Sequence, residues 1–191
     1  MLSPEIARAQ VLDAAEALFY RRGIQAVGMD EIRNASGVSL KRLYQLYPSK
    51  SELVEAYLWR RDARWRRRLA EYVEARPSPR ERILAVFSWL HDWFSQPDFR
   101  GCAFINSYGE LGAISPAVAE AARAHKQAFQ RYLADLVADA GEPSWAAQHL
   151  SLLAEGAMTT AAICGSPESA LQARDAARIL LDSARTASRA A

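Results

Sequence analysis

Cysteine is nearly absent: the 191 residues hold two, Cys102 and Cys164, too few for a disulfide framework. Histidine is also scarce, and neither His91 nor His149 has a carboxylate or cysteine at metal-ligand spacing, so no metal and no cofactor is expected. No glycine-rich nucleophile elbow and no phosphate loop occurs, which counts against acyl and phosphoryl transfer. No apolar run reaches the ~18 residues of a membrane span. Met1 to Gln10 contains Glu5 and Arg8 and has no apolar core, so it does not read as a secretory signal. Nowhere do four residues alternate apolar and polar with β-branched enrichment, so no sheet is expected. Together these absences point to a soluble cytoplasmic, all-α protein with no membrane partner.

What is present is a globular composition, 50% hydrophobic and 24% charged, which excludes disorder and fibrous repeats. The net charge of +2 is unevenly placed. Residues 1 to 80 hold 15 Lys+Arg against 10 Asp+Glu, and residues 81 to 191 hold 9 against 12. A basic front with an acidic remainder suits a front that meets a polyanion.

The punctuation marks out nine helices. Ser3-Pro4-Glu5 starts the first, with Val11, Ala14, Ala15, Leu18 and Phe19 as its stripe and Gly23 as an expected left-handed cap. A short helix follows Gly28, and Gly37-Val38-Ser39 is a tight turn. Leu40 to Leu46 is a second short helix that must stop before Pro48. Ser49-Lys50-Ser51-Glu52 is a capping box opening a long helix to about Ala75. Pro77-Ser78-Pro79 opens the next, striped by Ile83, Val86, Phe87, Leu90 and Phe94. The remaining helices run from Cys102 to Leu111, from Ser115-Pro116 to before Gly141, from Trp145 to Cys164 and from Pro167 to about Ser188.

Three short helices at the front, with a Gly-containing turn between the second and third, form a helix-turn-helix pattern. The third is too short to stand alone, so Leu43 and Val38 must hold it on its neighbours. Ser39 caps it, and Leu40, Lys41, Arg42 and Gln45 point outward toward a major groove. Lysine and arginine there suit guanine, and glutamine suits adenine. Tyr44 and Lys50 are candidates for phosphate.

Val11-Leu12-Asp13-Ala14-Ala15-Glu16-Ala17-Leu18-Phe19, Gly23, Ile32, Ala35, Gly37-Val38-Ser39, Leu43-Tyr44 and Tyr47-Pro48-Ser49-Lys50 resemble the DNA-binding domain of TetR-family transcriptional regulators over roughly residues 8 to 53. Gly101-Cys102-Ala103-Phe104-Ile105-Asn106 is similar to a segment at the start of the family's sixth helix. The resemblance implies a DNA-binding domain over 1–50 and a helical ligand-binding and dimerisation domain over 51–191. It implies a repressor that binds a palindromic operator as a homodimer, is released by a small apolar or aromatic effector, and is nucleoid-associated. The chain departs from the pattern at Gly28, where Ser or Thr is usual, and at Arg33, Lys41 and Arg42, where small residues are usual. Arg33 must either snorkel out or tilt the second and third helices. Lys41 and Arg42 imply more phosphate or guanine contact than in a typical member.

Trp89, Trp93, Phe104 and Tyr108 are candidate walls of an apolar ligand pocket, or ordinary core. Asn106 and Glu110 share a helix face and could orient a ligand, or cap and solvate. His125, on an apolar stripe, is a ligand candidate or a hydrogen-bonded core residue. Arg60, Arg61, Arg64, Arg66, Arg67 and Arg68 face phosphate, or form a solvated face paired with Glu71 and Glu74. Gly156, Ala157, Thr160, Ala161, Ala173 and Ala177 are small residues suited to a dimer seam or to close intrachain packing, and Cys164 is expected to be buried near that seam. Two other functions compete. One is a hydrolase-like enzyme with Cys102 as nucleophile and His91 or His125 as base, although Cys102 also reads as a redox sensor or a small packed side chain. The other is a non-specific architectural DNA binder.

Overall fold

The structure, a computed structural model, describes residues 3–190, with side chains from 3 to 184. Among the described residues there are nine helices and no strand: α1 (Pro4–Arg22), α2 (Met29–Ser36), α3 (Leu40–Leu46), α4 (Lys50–Glu74), α5 (Pro79–Phe94), α6 (Ala103–Leu111), α7 (Pro116–Asp139), α8 (Trp145–Cys164) and α9 (Glu168–Ala190). No described helix is long and apolar enough to cross a membrane. The chain divides into two compact units, Met1–Ala63 with Ala103–Ala124, and Arg64–Cys102 with His125–Ala191.

In the first unit, Ser3 caps α1 by accepting the Ile6 N–H, with Pro4 in the first turn. The α1 stripe of Val11, Ala14, Ala15, Leu18 and Phe19 is buried as its spacing requires. Gly23 ends the helix, but at φ 87° and ψ 154° rather than in the expected left-handed helical region. The chain leaves α1 extended there because the turn is drawn toward α6, where Glu110 accepts the Ile24 and Gln25 N–H groups. Gly28 has no side chain to cap α2. Instead Glu31 reaches back to the Gly28 N–H at 3.2 Å and pairs with Arg22. Those two contacts, the Gly28 N–H first, hold the Glu31 carboxyl below the usual carboxylate range. Arg33 turns outward and donates to Asn34 at 2.7 Å, so it snorkels away from the α2–α3 packing.

At the start of α4, Ser49 accepts the Glu52 N–H at 3.2 Å. The Glu52 carboxylate closes on the Ser49 hydroxyl rather than on the backbone, so this box is half formed. Arg60 and Arg61 tie α4 to α1. Arg60 reaches Asp13 at 2.8 Å and the buried Glu16 at 3.0 Å, while Arg61 reaches Glu16 at 2.7 Å and lies over the Tyr20 ring. These two cations are therefore occupied within the fold.

In the second unit, α5, α8 and α9 pack on one another. Ser78 and Glu81 form a full capping box at the head of α5. Ile83, Val86, Phe87, Leu90 and Phe94 are buried, and on α9 so are Ala170, Ala173, Ala177 and Leu181. Each large apolar side chain so buried contributes about 1.5–3 kcal/mol. The alanines let α9 lie close to its neighbours. Arg80 joins the ends of this unit, bonding Glu142 at 3.2 Å and pairing with Asp182.

Candidate nucleic-acid interface

The recognition candidate is α3, seven residues long. The turn before it passes through Gly37 at φ 68°, a left-handed position that costs a side-chain-bearing residue ~1 kcal/mol or more. Ser39 then caps α3 by accepting the Arg42 N–H at 3.3 Å. Leu43 is fully buried, Leu46 and Val38 nearly so, and they dock the helix against its neighbours in the first unit. Ser39, Leu40, Lys41, Tyr44 and Gln45 are exposed and Arg42 is half-exposed. Arg42 also lies at the limit of hydrogen-bond distance from Gln45, 3.5 Å, so two polar side chains stand side by side on the outer face.

Lys50 is the first residue of α4 and is half-buried. Burial pulls its ammonium below the usual lysine range, and the nearby Glu110 and Glu31 carboxylates partly offset this. The exposed Arg8 lies over the Tyr47 ring, 4.9 Å from its centre, beside the end of α3. Sequence reasoning passed over Arg8. The available signal was its place one turn before the α1 stripe, with Tyr47 at the matching end of α3.

The ligand candidates separate. Trp89, Trp93 and His125 come together in the second unit around Trp65. The Trp65 ring meets Trp89 at 5.1 Å, Trp93 at 5.9 Å, His125 at 5.0 Å and Phe129 at 5.5 Å, each edge to face. Trp89 and Trp93 are half-buried, while the buried Trp65 Nε1–H has no hydrogen-bond partner. Trp65 and Phe129 were not among the candidates. Trp65 is masked by its arginine neighbours, yet Leu58, Trp65, Leu69 and Val73 fall on one helical stripe that would have revealed it. Phe104, Asn106, Tyr108 and Glu110 lie on α6 in the first unit, where Phe104 is buried, Asn106 and Tyr108 are exposed and Glu110 bonds the α1–α2 turn.

Of the small residues on α8 and α9, Ala157, Ala161, Ala173 and Ala177 are buried within the unit, whereas Gly156 and Thr160 face outward. Outward with them are large apolar side chains that the small-residue pattern did not include: Leu152 (72% exposed), Ile163 (79%) and Ile179 (67%). Cys164 is exposed on the chain, and Cys102 is buried with the Lys126 ammonium 3.5 Å from its sulfur. Lys126 in turn bonds Glu155 at 2.6 Å.

Comparison with known proteins converges on one family. The sequence model of bacterial regulatory proteins of the tetR family matches residues 11–57. The crystal structure of a TetR-family transcriptional regulator from Streptomyces coelicolor is 30% identical, superposes with a TM-score of 0.87, and covers 94% of this chain and 96% of its own. An HTH-type transcriptional regulator of Mycobacterium tuberculosis is 38% identical over 80 residues, 42% of this chain and 40% of the relative. The HTH-type transcriptional activator FasR of Mycolicibacterium smegmatis is 33% identical over 132 residues, 68% of this chain and 58% of that protein. The matches thus span less than two thirds of these curated relatives. The full-length structural match, at an identity that carries more than the fold, is what assigns the chain: it belongs to the TetR family of transcriptional regulators, which are not enzymes.

Proposed function

We propose that the chain is a ligand-responsive repressor that binds a palindromic operator as a homodimer and leaves it when a small apolar or aromatic effector binds. One observation carries this reading: the inner side of α3 is buried through Leu43 and Leu46, while Leu40, Lys41, Tyr44 and Gln45 are exposed. A helix anchored on one side and polar on the other is suited to a major groove. Lys41 and Arg42 suit guanine or phosphate, Gln45 suits adenine, and Leu40 suits a thymine methyl. Ser39, Tyr44, Lys50 and Arg8 suit the phosphates on either side. In this reading residues 1–50 are the DNA head and 51–191 the effector and dimer part of a cytoplasmic, nucleoid-associated protein.

The aromatic cluster around Trp65 is the effector site in this reading. Trp89 and Trp93 offer apolar faces, and the unpartnered Trp65 N–H offers one directional donor, the mix usual in small-molecule sites. To release DNA, the effector must bind the non-DNA conformation more tightly, since equal affinity shifts nothing. The homodimer reading is supported by α8, where Leu152, Gly156, Thr160 and Ile163 form one exposed stripe at helical spacing, and by Ile179 on α9. Exposed apolar side chains of that size on one stripe suit an association surface, and a second copy would place two α3 helices on a two-fold axis.

The test is selection of genomic DNA fragments by the purified protein at fixed salt. The reading expects an inverted repeat, repression of a reporter placed behind it, and relief of that repression by an effector that quenches tryptophan fluorescence. No enrichment over random competitor would overturn it.

A further inference from the structure

α6 reaches into the α1–α2 turn with a carboxylate. Glu110 Oε1 accepts the Ile24 N–H at 3.0 Å and Oε2 accepts the Gln25 N–H at 2.8 Å. The Gln25 side-chain amide donates back to the Glu110 carbonyl at 2.8 Å. The two amides lie just beyond the end of α1, so they have no helix partner and need an acceptor. Bonds to a carboxylate are roughly twice as strong as neutral ones, and two successive amides on one carboxylate fix direction as well as distance.

Gly23 belongs to the same device. It sits at φ 87°, and a Cβ there would stand 3.1 Å from both Glu110 oxygens. The glycine opens the approach and the acid fills it. Beside the turn lies a half-open cleft of about 200 Å³, lined by Ile24, Gln25, Lys50, Val54, Leu111 and Val118. Ile24 and Val27 are buried and keep the turn folded inward, but two apolar plugs do not fix the planes of the intervening peptides.

We propose that Glu110 is a positioning residue for DNA binding: by holding the Ile24 and Gln25 amides it fixes the attitude of α2 and α3 on α1. The inference rests on the reading of α3 as the DNA-contacting helix. Glu110 itself touches no DNA in this account. Its effect passes through the turn from which α2 and α3 hang.

The experiment compares the full-length wild type with Glu110→Gln and Gln25→Ala. Glutamine keeps the size, but only one of its terminal atoms accepts, so one amide bond is lost and an NH₂ opposes an N–H. Operator affinity is read by fluorescence anisotropy well below the melting temperature, where all variants are folded. Glu110→Gln is expected to lose about tenfold or more in affinity with a near-native melting curve. In ¹⁵N-labelled protein the Ile24 and Gln25 amide signals should move and exchange faster, while those of Leu43 and Leu46 should shift as α3 changes its attitude but stay protected from exchange. Gln25→Ala, which removes only the side-chain bond, should leave both readouts close to wild type. Should Glu110→Gln not fold, Glu110→Asp carries the same test, because it keeps the charge but withdraws it by one methylene. Wild-type affinity in Glu110→Gln overturns the proposal, and so does a loss that vanishes on cooling, which would reduce Glu110 to a stability role. A wild type that binds no duplex overturns the DNA reading itself, and the wild-type arm reports that separately.

Discussion

Leu40 and Leu43 lie three residues apart on α3, and replacing each with alanine separates anchoring from recognition. Leu43 is fully buried, whereas Leu40 is 39% exposed. Leu43→Ala removes three buried carbons at about 0.8 kcal/mol each and leaves a partly unrelaxed hole, so the loss is about 3–4 kcal/mol. A helix of seven residues has no stability of its own to absorb this. The loss therefore falls on the docking of α3, and at ~1.4 kcal/mol per tenfold it lowers operator affinity by at least about a hundredfold. Leu40→Ala should change stability by no more than about 0.5 kcal/mol, while lost contact with a base edge costs ~1 kcal/mol of binding, about fivefold in affinity. Urea unfolding followed by circular dichroism gives the stabilities, and anisotropy on a labelled operator gives the affinities. Equal destabilisation by both substitutions, or a Leu43→Ala protein as stable as wild type, would refute the assignment of inner and outer faces.

Lys50→Gln should raise stability at neutral pH while weakening operator binding and lowering its salt slope by roughly one. The sign follows from burial, which sets the folded pKa below the unfolded 10.5, so native stability rises with pH between the two values and the advantage of the variant fades above 10.5; melting temperatures across a pH series check it, and a less stable variant at neutral pH contradicts it. Glu31 works in the opposite direction: its folded pKa is depressed, so its contribution is present above 4.5 and lost as pH falls through the folded value. Glu31→Gln should accordingly be less stable than wild type at neutral pH, and the two should converge in acid denaturation curves. Ile163→Arg, on the exposed α8 stripe, should shift the chain from dimer to monomer by light scattering and abolish operator binding without changing the helical content; a dimer that survives the substitution places the seam elsewhere.

Elements whose boundaries are local were legible in the sequence. Ser3-Pro4 and Ser78-Pro79 start helices because capping and a fixed proline φ act within one turn. The α3 limits could be read from Ser39 on one side and Pro48 on the other, and its inward residues from Val38 and Leu43. What the sequence hid depends on partners far along the chain. The contacts of Glu110 lie 85 and 86 residues away, so a helix-face argument could offer only ligand or solvent as its role. Arg60 and Arg61 read as a phosphate-facing or solvated run until Asp13 and Glu16 were found beside them. On α8 and α9 the small residues drew attention because close packing needs them. The buried alanines serve contacts within the chain, while the exposed Leu152, Ile163 and Ile179 carry the apolar surface.

The shortness of α3 sets a limit on information. Seven residues at ~1.5 Å each span about 10 Å, which is about three base-pair steps at ~3.4 Å. In the proposed homodimer, two such stubs would inspect about six positions, a pattern met by chance roughly once in four thousand sites, against the ~10⁶ or more that a genome offers. Hundreds of decoys would satisfy the helices alone. On that reading, the spacing between half-sites and the pliancy of the DNA between them must supply the missing discrimination.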